Sequence, residues 1–363
     1  MIDLSEYMRV NIRVLIRQAI QASRKDPREL FFLLRYAKAS RRAYRKREAL
    51  EKQGKHVPPF LIASITQDCN LRCKGCYSLE NSACRSAGSQ MTGERWKEIF
   101  AQAADIGVCF ILLAGGEPMM RMDVLRQAAR TPDILFPVFT NGTLIGDEAM
   151  ELFSKNRCLV PVLSLEGDET MTDERRGAGT FAALTGVMER LRAAHVFFCA
   201  SVTVTRENLQ YVTGKAFIDG LTVHGVKLVF YVEYVPVDEK TRCLALGDAE
   251  REALDGALDG LRLAYKNVIF ISFPGDEKLT GGCLAAGRGF FHISPTGDAE
   301  PCPFSPYSDL NLKDHSLLEA LDSPLFKELN KEEYLLQEHE GGCLLFEKRE
   351  EVQGFLKREP VNG

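Results

Sequence analysis

One stretch of this chain reads Thr66-Gln67-Asp68-Cys69-Asn70-Leu71-Arg72-Cys73-Lys74-Gly75-Cys76-Tyr77, and it directly follows an apolar run. Three cysteines so close together predict a metal or iron–sulfur site. A zinc site would normally need a fourth ligand, for which Cys84 is available. A cubane iron–sulfur cluster is normally held by four thiolates. With three thiolates, one iron keeps an open position for a substrate or cofactor, so the motif favours a catalytic cluster, with structural zinc as the alternative.

Short apolar runs alternate with amphipathic segments from residue 60 to about residue 235. The predicted strands are residues 60–66, 109–113, 135–140, 159–165, 196–204 and 227–235, and the predicted helices between them lie around residues 92–107, 121–130, 147–156, 180–194 and 207–220. Near-continuous apolar strands separated by helices indicate a parallel sheet that is covered on both faces. The predicted fold class is therefore α/β, with a partial (β/α)6 TIM-like barrel. In such barrels the chemistry lies at the carboxyl ends of the strands.

Four further motifs fall at the ends of the predicted strands. They are Ala114-Gly115-Gly116-Glu117-Pro118, Thr140-Asn141-Gly142, Ser164-Leu165-Glu166-Gly167, and the fifth-strand residues Ser201, Thr203, Thr205 and Asn208. Each motif alone is an ordinary turn or strand end. In this order, and after the cysteine motif, they resemble the radical S-adenosylmethionine (radical SAM) enzymes over residues 60 to about 235.

The resemblance implies an enzyme with a [4Fe–4S] cluster at Cys69, Cys73 and Cys76, whose open iron binds S-adenosylmethionine (SAM). In this family one electron cleaves SAM to methionine and a 5′-deoxyadenosyl radical, which removes hydrogen from an unactivated carbon. An electron donor of the flavodoxin or ferredoxin type is implied as a partner.

The resemblance also implies which residues contact SAM. Glu117 and the backbone around it would receive the amino group, polar groups at the fourth strand would lie near the ribose and the methionine carboxylate, and Arg176 would suit that carboxylate. The full expected set is Tyr77, Gly115, Gly116, Glu117, Pro118, Asn141, Ser164, Glu166, Arg176 and Thr203. One departure concerns Gly75, because the family often has an aromatic residue before the third cysteine. The aromatic contact to adenine then comes from Tyr77 or is missing.

A second group of cysteines lies near the carboxyl end, in a region rich in Gly and Pro. Cys283, thirteen residues, Gly297, four residues and Cys302 resemble the opening of SPASM and twitch extensions, which bind auxiliary clusters. A full SPASM extension needs four more cysteines before the last one, and residues 303–342 contain none. The resemblance therefore implies one auxiliary [4Fe–4S] cluster at Cys283, Cys302 and Cys343, as in a twitch domain. The alternative is unrelated thiols in loops.

The fourth ligand of this auxiliary cluster stays open. Where a final C-x2-C pair would be expected, the chain has His339-Glu340-Gly341-Gly342-Cys343. Either His339 or Glu340 is a ligand, or one iron stays free. The cysteines on apolar stretches, Cys109, Cys158 and Cys199, are expected to be buried small hydrophobes, whereas Cys84 and Cys243 lie in polar loops.

The amino-terminal segment is basic and helical. Residues 1–60 carry 15 Lys/Arg against 6 Asp/Glu, although the whole chain of 363 residues has a net charge of −4. Asp26, Pro27 and Glu29 form a helix start with a capping box. The basic surface predicts an anionic partner such as a membrane surface or an acidic leader peptide, with nucleic acid not expected. The alternative is a helical hairpin packed on the main domain with a solvated basic face. The predicted domains are residues 1–56, 57–240 and 241–363.

Composition narrows the functional classes. With 45% hydrophobic residues the chain can build a large core, and no apolar run reaches the roughly 18 residues of a membrane span. There is no export signal and there are eleven cysteines, which favours metal or redox use and a cytoplasmic location.

The substrate is less closely defined. SPASM and twitch extensions occur most often in enzymes that modify ribosomal peptides or proteins, so a peptide substrate is the first hypothesis, although residues 1–55 do not resemble the usual leader-binding module. A small molecule of cofactor, tetrapyrrole or sugar metabolism, or a lipid, is the alternative. A non-catalytic electron carrier would belong to a different class, and the Gly-Gly-Glu-Pro segment argues against it.

Overall fold

A computed structural model describes residues 4–24, 26–82, 89–237, 239–275, 282–331, 334–336 and 343–356. The strands are β1 (Phe60–Thr66), β2 (Phe110–Gly115), β3 (Phe136–Thr140), β4 (Leu159–Leu165), β5 (Cys199–Val204), β6 (Leu228–Glu233), β7 (Ile269–Phe273), β8 (His292–Ile293) and β9 (Ala299–Glu300). The helices are α1 (Leu4–Ala22), α2 (Pro27–Glu51), α3 (Tyr77–Ser82), α4 (Gly93–Ile106), α5 (Met122–Ala129), α6 (Asp147–Lys155), α7 (Glu169–Arg176), α8 (Thr180–Ala193), α9 (Leu209–Val212), α10 (Lys215–His224), α11 (Asp248–Ala264), α12 (Leu317–Leu321), α13 (Pro324–Leu329), α14 (Leu344–Glu347) and α15 (Arg349–Leu356).

The strands form one curved sheet in the order β7-β6-β5-β4-β3-β2-β1-β8-β9 over the described residues. All neighbours pair in parallel except β8 and β9, which pair antiparallel. The strands of the barrel are apolar because helices cover them outside. The predicted α/β partial barrel is confirmed. β7 extends it at one edge, and β8 and β9 extend it at the other.

The edge next to β1 is fixed by a buried polar chain. His292 on β8 contacts Ser64 Oγ of β1 through Nε2 at 2.8 Å, and its Nδ1 lies 2.6 Å from Glu300 Oε2 of β9. Buried polar groups that are fully partnered favour one pairing over its alternatives. Residues after 240 therefore contribute strands to the barrel sheet itself, while the three domain limits stay predictions.

Helices α1 and α2 form a hairpin that packs against the amino-terminal ends of the strands. Tyr36 donates a hydrogen bond of 2.8 Å to the carbonyl of Cys109, and Arg47 donates to the carbonyl of Gly107. Gly107 has φ +92° and a Cβ there would lie 2.4 Å from the carbonyl oxygen of Ala43. Only glycine allows this close approach without strain, so the hairpin is docked on the barrel.

The start of α2 differs in one detail from the expected capping box. Asp26 caps the helix, accepting hydrogen bonds from the backbone N–H groups of Arg28 and Glu29. The Glu29 side chain, however, is buried and its Oε2 lies 3.5 Å from Arg157 Nη1. Burial raises the pKa of Glu29 to about 7, with Arg157 opposing that rise.

The predicted positions of the helices agree with the structure better than the predicted lengths do. The helices at residues 92–107, 121–130, 147–156 and 180–194 appear as α4, α5, α6 and α8, whereas the segment 207–220 is divided between α9 and α10. Gly214 stands at this break, where its Cβ position would lie 3.0 Å from the carbonyl oxygen of Tyr211. Among the described helices, none is long and apolar enough to cross a membrane.

Candidate functional site

The three cysteines after β1 lie half-buried on the wall of one cavity. Cys69, Cys73 and Cys76 line this cavity of about 880 Å³ at the carboxyl ends of the strands. The backbone N–H of Leu71 lies 3.4 Å from Cys69 Sγ, within range of a weak hydrogen bond. Burial raises the pKa of Cys69 and of Cys73, and the positive charge of Arg176 opposes the rise at Cys73. The arrangement brings three thiols to one ligand-sized space.

The loop after β2 is fixed against the cysteine loop by its glycines. Gly116 donates a backbone hydrogen bond of 2.7 Å to Thr66, and Glu117 donates one of 2.8 Å to Asp68. A Cβ on Gly116 would lie 2.1 Å from the carbonyl oxygen of Asp68, and Gly115 has φ +126°. Any larger residue would push the two loops apart.

The Glu117 carboxylate is buried and connects neighbouring strand ends. It accepts hydrogen bonds from Thr140 Oγ1 at 2.6 Å, from the N–H of Asn141 at 2.8 Å and from the N–H of Met119 at 3.0 Å. Burial raises its pKa and these hydrogen bonds lower it. Asn141 in turn donates a 2.9 Å hydrogen bond to Asn70 of the cysteine loop. The ends of β1, β2 and β3 thus form one connected unit, in which Pro118 is buried.

A buried ion cluster lies at the end of β4. Glu166 Oε1 is 2.5 Å from Arg175 Nη1 and 2.8 Å from Arg176 Nε. Arg175 also donates a 3.0 Å hydrogen bond to Thr203 Oγ1 of β5. The second carboxylate oxygen, Glu166 Oε2, is buried and has no hydrogen-bond partner among the described residues.

Glu166 is not itself among the residues that line the cavity, but its partners Arg175 and Arg176 are. An unpartnered buried carboxylate oxygen beside them can accept a ligand's hydroxyl hydrogen. Arg175 was not among the predicted site residues, although it is adjacent to Arg176 in the sequence. Ser164 and Thr203 line the same cavity, as predicted for site residues.

The aromatic side chain beside the third cysteine comes from a distant strand end. Gly75 has φ +62°, and a Cβ on it would lie 2.1 Å from the hydroxyl oxygen of Tyr234. Tyr234 follows β6, and its hydroxyl is 2.6 Å from Thr241 Oγ1. Tyr77 instead packs edge-on against Phe304, with ring centroids 5.3 Å apart. Both tyrosines line the cavity. Tyr234 was not predicted from the sequence because its contact with Gly75 depends on the curvature of the sheet, which brings the ends of β1 and β6 together.

Below the cysteine loop the cavity is mostly apolar. Phe110, Phe139, Val160 and Phe230 line it from β2, β3, β4 and β6, and residues of α1 line its far end, where Glu29 of α2 also lies. Apolar walls of this kind disfavour water in the space below the thiols. A dry cavity protects a reactive intermediate from side reactions.

The carboxyl-terminal cysteines converge beside this cavity. The thiols of Cys302 and Cys343 are hydrogen-bonded to each other, and Cys283 is close enough to influence Cys302 electrostatically. Burial raises the pKa of Cys302 well above its usual value, and Cys343 contributes to the rise. Pro303 and Phe304, directly after Cys302, line the cavity that the first three cysteines share.

The predictions for the remaining cysteines can be compared with the structure, whereas those for the fourth ligand cannot. Cys109, Cys158 and Cys199 are buried, as predicted, and Cys243 is exposed. Cys84, His339 and Glu340 lie outside the described residues. Among the described residues, no group of three or more His, Cys, Asp or Glu side chains is placed to hold a single metal ion.

Comparison with known proteins gives one family match and several relatives. The model of the radical SAM superfamily matches residues 63–212. The chain is 28% identical over 330 residues to the AdoMet-dependent heme synthase of Methanosarcina barkeri, covering 84% of this chain and 92% of that protein. It is 28% identical over 263 residues to the PqqA peptide cyclase of Granulibacter bethesdensis, covering 68% of each. The structure of Streptococcus suis SuiB bound to precursor peptide SuiA is similar with a TM-score of 0.65 and 21% identity, covering 84% of this chain and 75% of that one.

Proposed function

Because the chain belongs to the radical SAM superfamily and is a radical SAM enzyme, we propose that it removes a hydrogen atom from a peptide or protein substrate. The observation that carries the proposal is the single cavity shared by Cys69, Cys73 and Cys76 and by the polar strand ends. The three thiolates would hold a [4Fe–4S] cluster that leaves one iron open.

The residues around the cavity fit SAM. The buried oxygen of Glu166 lacks a partner among the described residues and suits a ribose hydroxyl. Gly115 and Gly116, whose turn packs against the cysteine loop, line the cavity beside the thiols. Arg175 and Arg176 bring positive charge toward a carboxylate. The expected contacts of Tyr77, Glu117, Pro118, Asn141, Ser164 and Thr203 remain part of this proposal. When bound, SAM and the reduced cluster supply a 5′-deoxyadenosyl radical that removes hydrogen from carbon.

The protein's own contribution is position and exclusion. The connected loops at Glu117 and Asn141 hold the cysteine loop at a fixed distance from the strand ends. The apolar walls keep water from the reacting carbon, and a fixed geometry lowers the entropic part of the barrier. A substrate that enters this space must present an apolar part to Phe110, Phe139 and Phe230.

Relatives support the peptide substrate and one second candidate. The PqqA peptide cyclase acts, by its name, on a peptide. The heme synthase relative is matched over 92% of its length and favours a tetrapyrrole-like small molecule as the second candidate. Anaerobic incubation with SAM, dithionite and a short peptide encoded beside the gene tests the first: we expect 5′-deoxyadenosine and a changed peptide mass. An unchanged mass, together with conversion of a tetrapyrrole, would favour the second.

Replacing Glu166 by glutamine should weaken SAM binding by about tenfold or more, because a charged acceptor for a buried hydroxyl is lost. Isothermal calorimetry on the anaerobic protein with its cluster measures the Kd. The matched control is Glu233→Gln, since Glu233 is also a buried carboxylate that is paired with an arginine, Arg251, at 3.2 Å. Equal Kd values for wild type and Glu166→Gln would contradict the assignment of Oε2 to the ligand.

Further parts of the proposal concern partners and the second cluster. Cys283, Cys302 and Cys343 would hold an auxiliary [4Fe–4S] cluster beside the substrate cavity, as a twitch domain does. A flavodoxin- or ferredoxin-type donor would supply the electron, in a cytoplasmic setting that keeps the thiols reduced. The basic hairpin of α1 and α2 would contact a membrane surface. Its binding to anionic vesicles should then fall steeply as salt rises, since exposed charges are screened.

A further inference from the structure

A pocket of about 190 Å³ lies between α1 and α2. Beside the apolar side chains of Ile12, Ile16, Ile20 and Ala37, its lining contains five arginines and one tyrosine, namely Arg9, Arg13, Arg17, Arg41, Arg47 and Tyr44. Arg9, Arg13 and Arg17 follow one another at intervals of four residues on α1, and Arg41 lies on α2. No acidic side chain is among the residues that line the pocket. The pocket therefore has the charge and the shape of an anion site.

Three of these arginines have no carboxylate partner among the described residues. They are Arg13, Arg17 and Arg41, whereas Arg42, next to Arg41 on α2, is paired with Asp133 at 2.9 Å. Like charges four residues apart on a helix destabilise it. Arg13 and Arg17 carry this repulsion, and a bound anion would remove it.

Contacts with the Tyr44 ring fix the positions of the Arg9 and Arg47 guanidinium groups. The Arg9 guanidinium lies 5.3 Å from the centroid of the Tyr44 ring, and that of Arg47 lies 6.0 Å from it. Arg47 is also buried and hydrogen-bonded to the Gly107 carbonyl. These contacts hold Arg9 and Arg47 at the pocket wall, where they add positive charge beside the other arginines. Arginine recognises phosphate oxygens through paired N–H donors, which makes phosphate the best-matched anion.

The surroundings of the pocket identify the source of the phosphate. From Arg9 to Arg17 the helix rises about 12 Å, so the site is longer than one phosphate and has room for the esterified group. Exposed apolar side chains occur on the same two helices: Val10 on α1 is 44% exposed and Leu34 on α2 is 54% exposed. Basic residues beside exposed apolar residues on a helix are typical of segments that lie in a lipid interface.

We propose that the pocket between α1 and α2 binds the phosphate of an anionic lipid headgroup, with Arg13, Arg17 and Arg41 as the direct ligands. The proposal rests on the membrane contact suggested above for this hairpin, and it is independent of the radical chemistry. It names the group that the hairpin recognises.

The test compares two charge-matched triple variants of the full-length protein. The pocket variant is R13Q/R17Q/R41Q, and the control is R24Q/R28Q/R45Q, whose residues are equally exposed but do not line the pocket. Probes are monomeric dihexanoyl-phosphatidylglycerol and inorganic phosphate in calorimetry, and phosphatidylcholine vesicles with and without phosphatidylglycerol in sedimentation, all at physiological ionic strength.

We expect saturable binding of the short-chain lipid by wild type and by the control variant, and its loss in the pocket variant. Vesicle affinity should fall at least about tenfold more in the pocket variant than in the control. Equal weakening by both variants would overturn the pocket and leave only diffuse charge attraction. Vesicle binding that the pocket variant keeps would retain the surface contact and overturn the pocket as its cause. Binding of inorganic phosphate without any vesicle binding would overturn the lipid as its source.

Discussion

Replacing Cys73 by alanine is expected to reduce the reductive cleavage of SAM to the background seen without protein. The reason is coordination: with three thiolates available, removal of one leaves two, and a cubane normally held by four ligands is lost or displaced. Cys73 is the middle cysteine, and the positive charge of Arg176 on the cavity wall lowers the pKa of its thiol against the effect of burial. The measurement is 5′-deoxyadenosine formed under dithionite, by liquid chromatography, together with the iron content of the reconstituted protein.

The matched control is Cys243→Ala, because Cys243 is an exposed cysteine that does not line the cavity. This variant should keep wild-type turnover. Normal 5′-deoxyadenosine formation by the Cys73 variant would refute the assignment of the cluster to this loop. A misfolded variant is recognised by its far-ultraviolet circular dichroism, and the Cys69→Ala and Cys76→Ala variants then repeat the test at the other two ligands.

The parts of the site that were predictable from sequence are those fixed by local patterns. The apolar runs predicted β1 and β4 at the residues where the structure has them. The cysteine and glycine motifs lie close together because parallel strands end on one side of the sheet. Such positions follow from chain order alone.

The parts that were not predictable depend on which elements pack together. The aromatic neighbour of Gly75 is Tyr234, separated from it in sequence by the whole barrel. Arg175 joins Arg176 at Glu166 because α7 ends against the cavity, and its pattern in sequence is an ordinary basic helix end. The parallel pairing of β8 with β1 needs the buried contact between His292 and Ser64, which a two-residue strand does not reveal in advance.

The last prediction concerns iron content. The protein with both clusters should contain about 8 irons per chain, and replacing Cys283, Cys302 and Cys343 together by alanine should lower this to about 4. The structure supports one shared set of ligands. The thiols of Cys302 and Cys343 are hydrogen-bonded to each other, and Cys283 lies close enough to raise the pKa of Cys302 electrostatically.

Iron analysis and Mössbauer spectra of the anaerobically reconstituted protein measure this, with Cys243→Ala again as the control that should keep about 8 irons. Since Pro303 and Phe304 connect Cys302 to the substrate cavity, the ligand of the fourth iron then becomes informative. A change in the auxiliary signal on adding substrate would indicate an open iron that binds substrate directly. A change on replacing His339 or Glu340 would indicate a protein ligand and an electron relay. About 4 irons in wild type, unchanged in the triple variant, would refute the auxiliary cluster while leaving the cluster at Cys69, Cys73 and Cys76 intact.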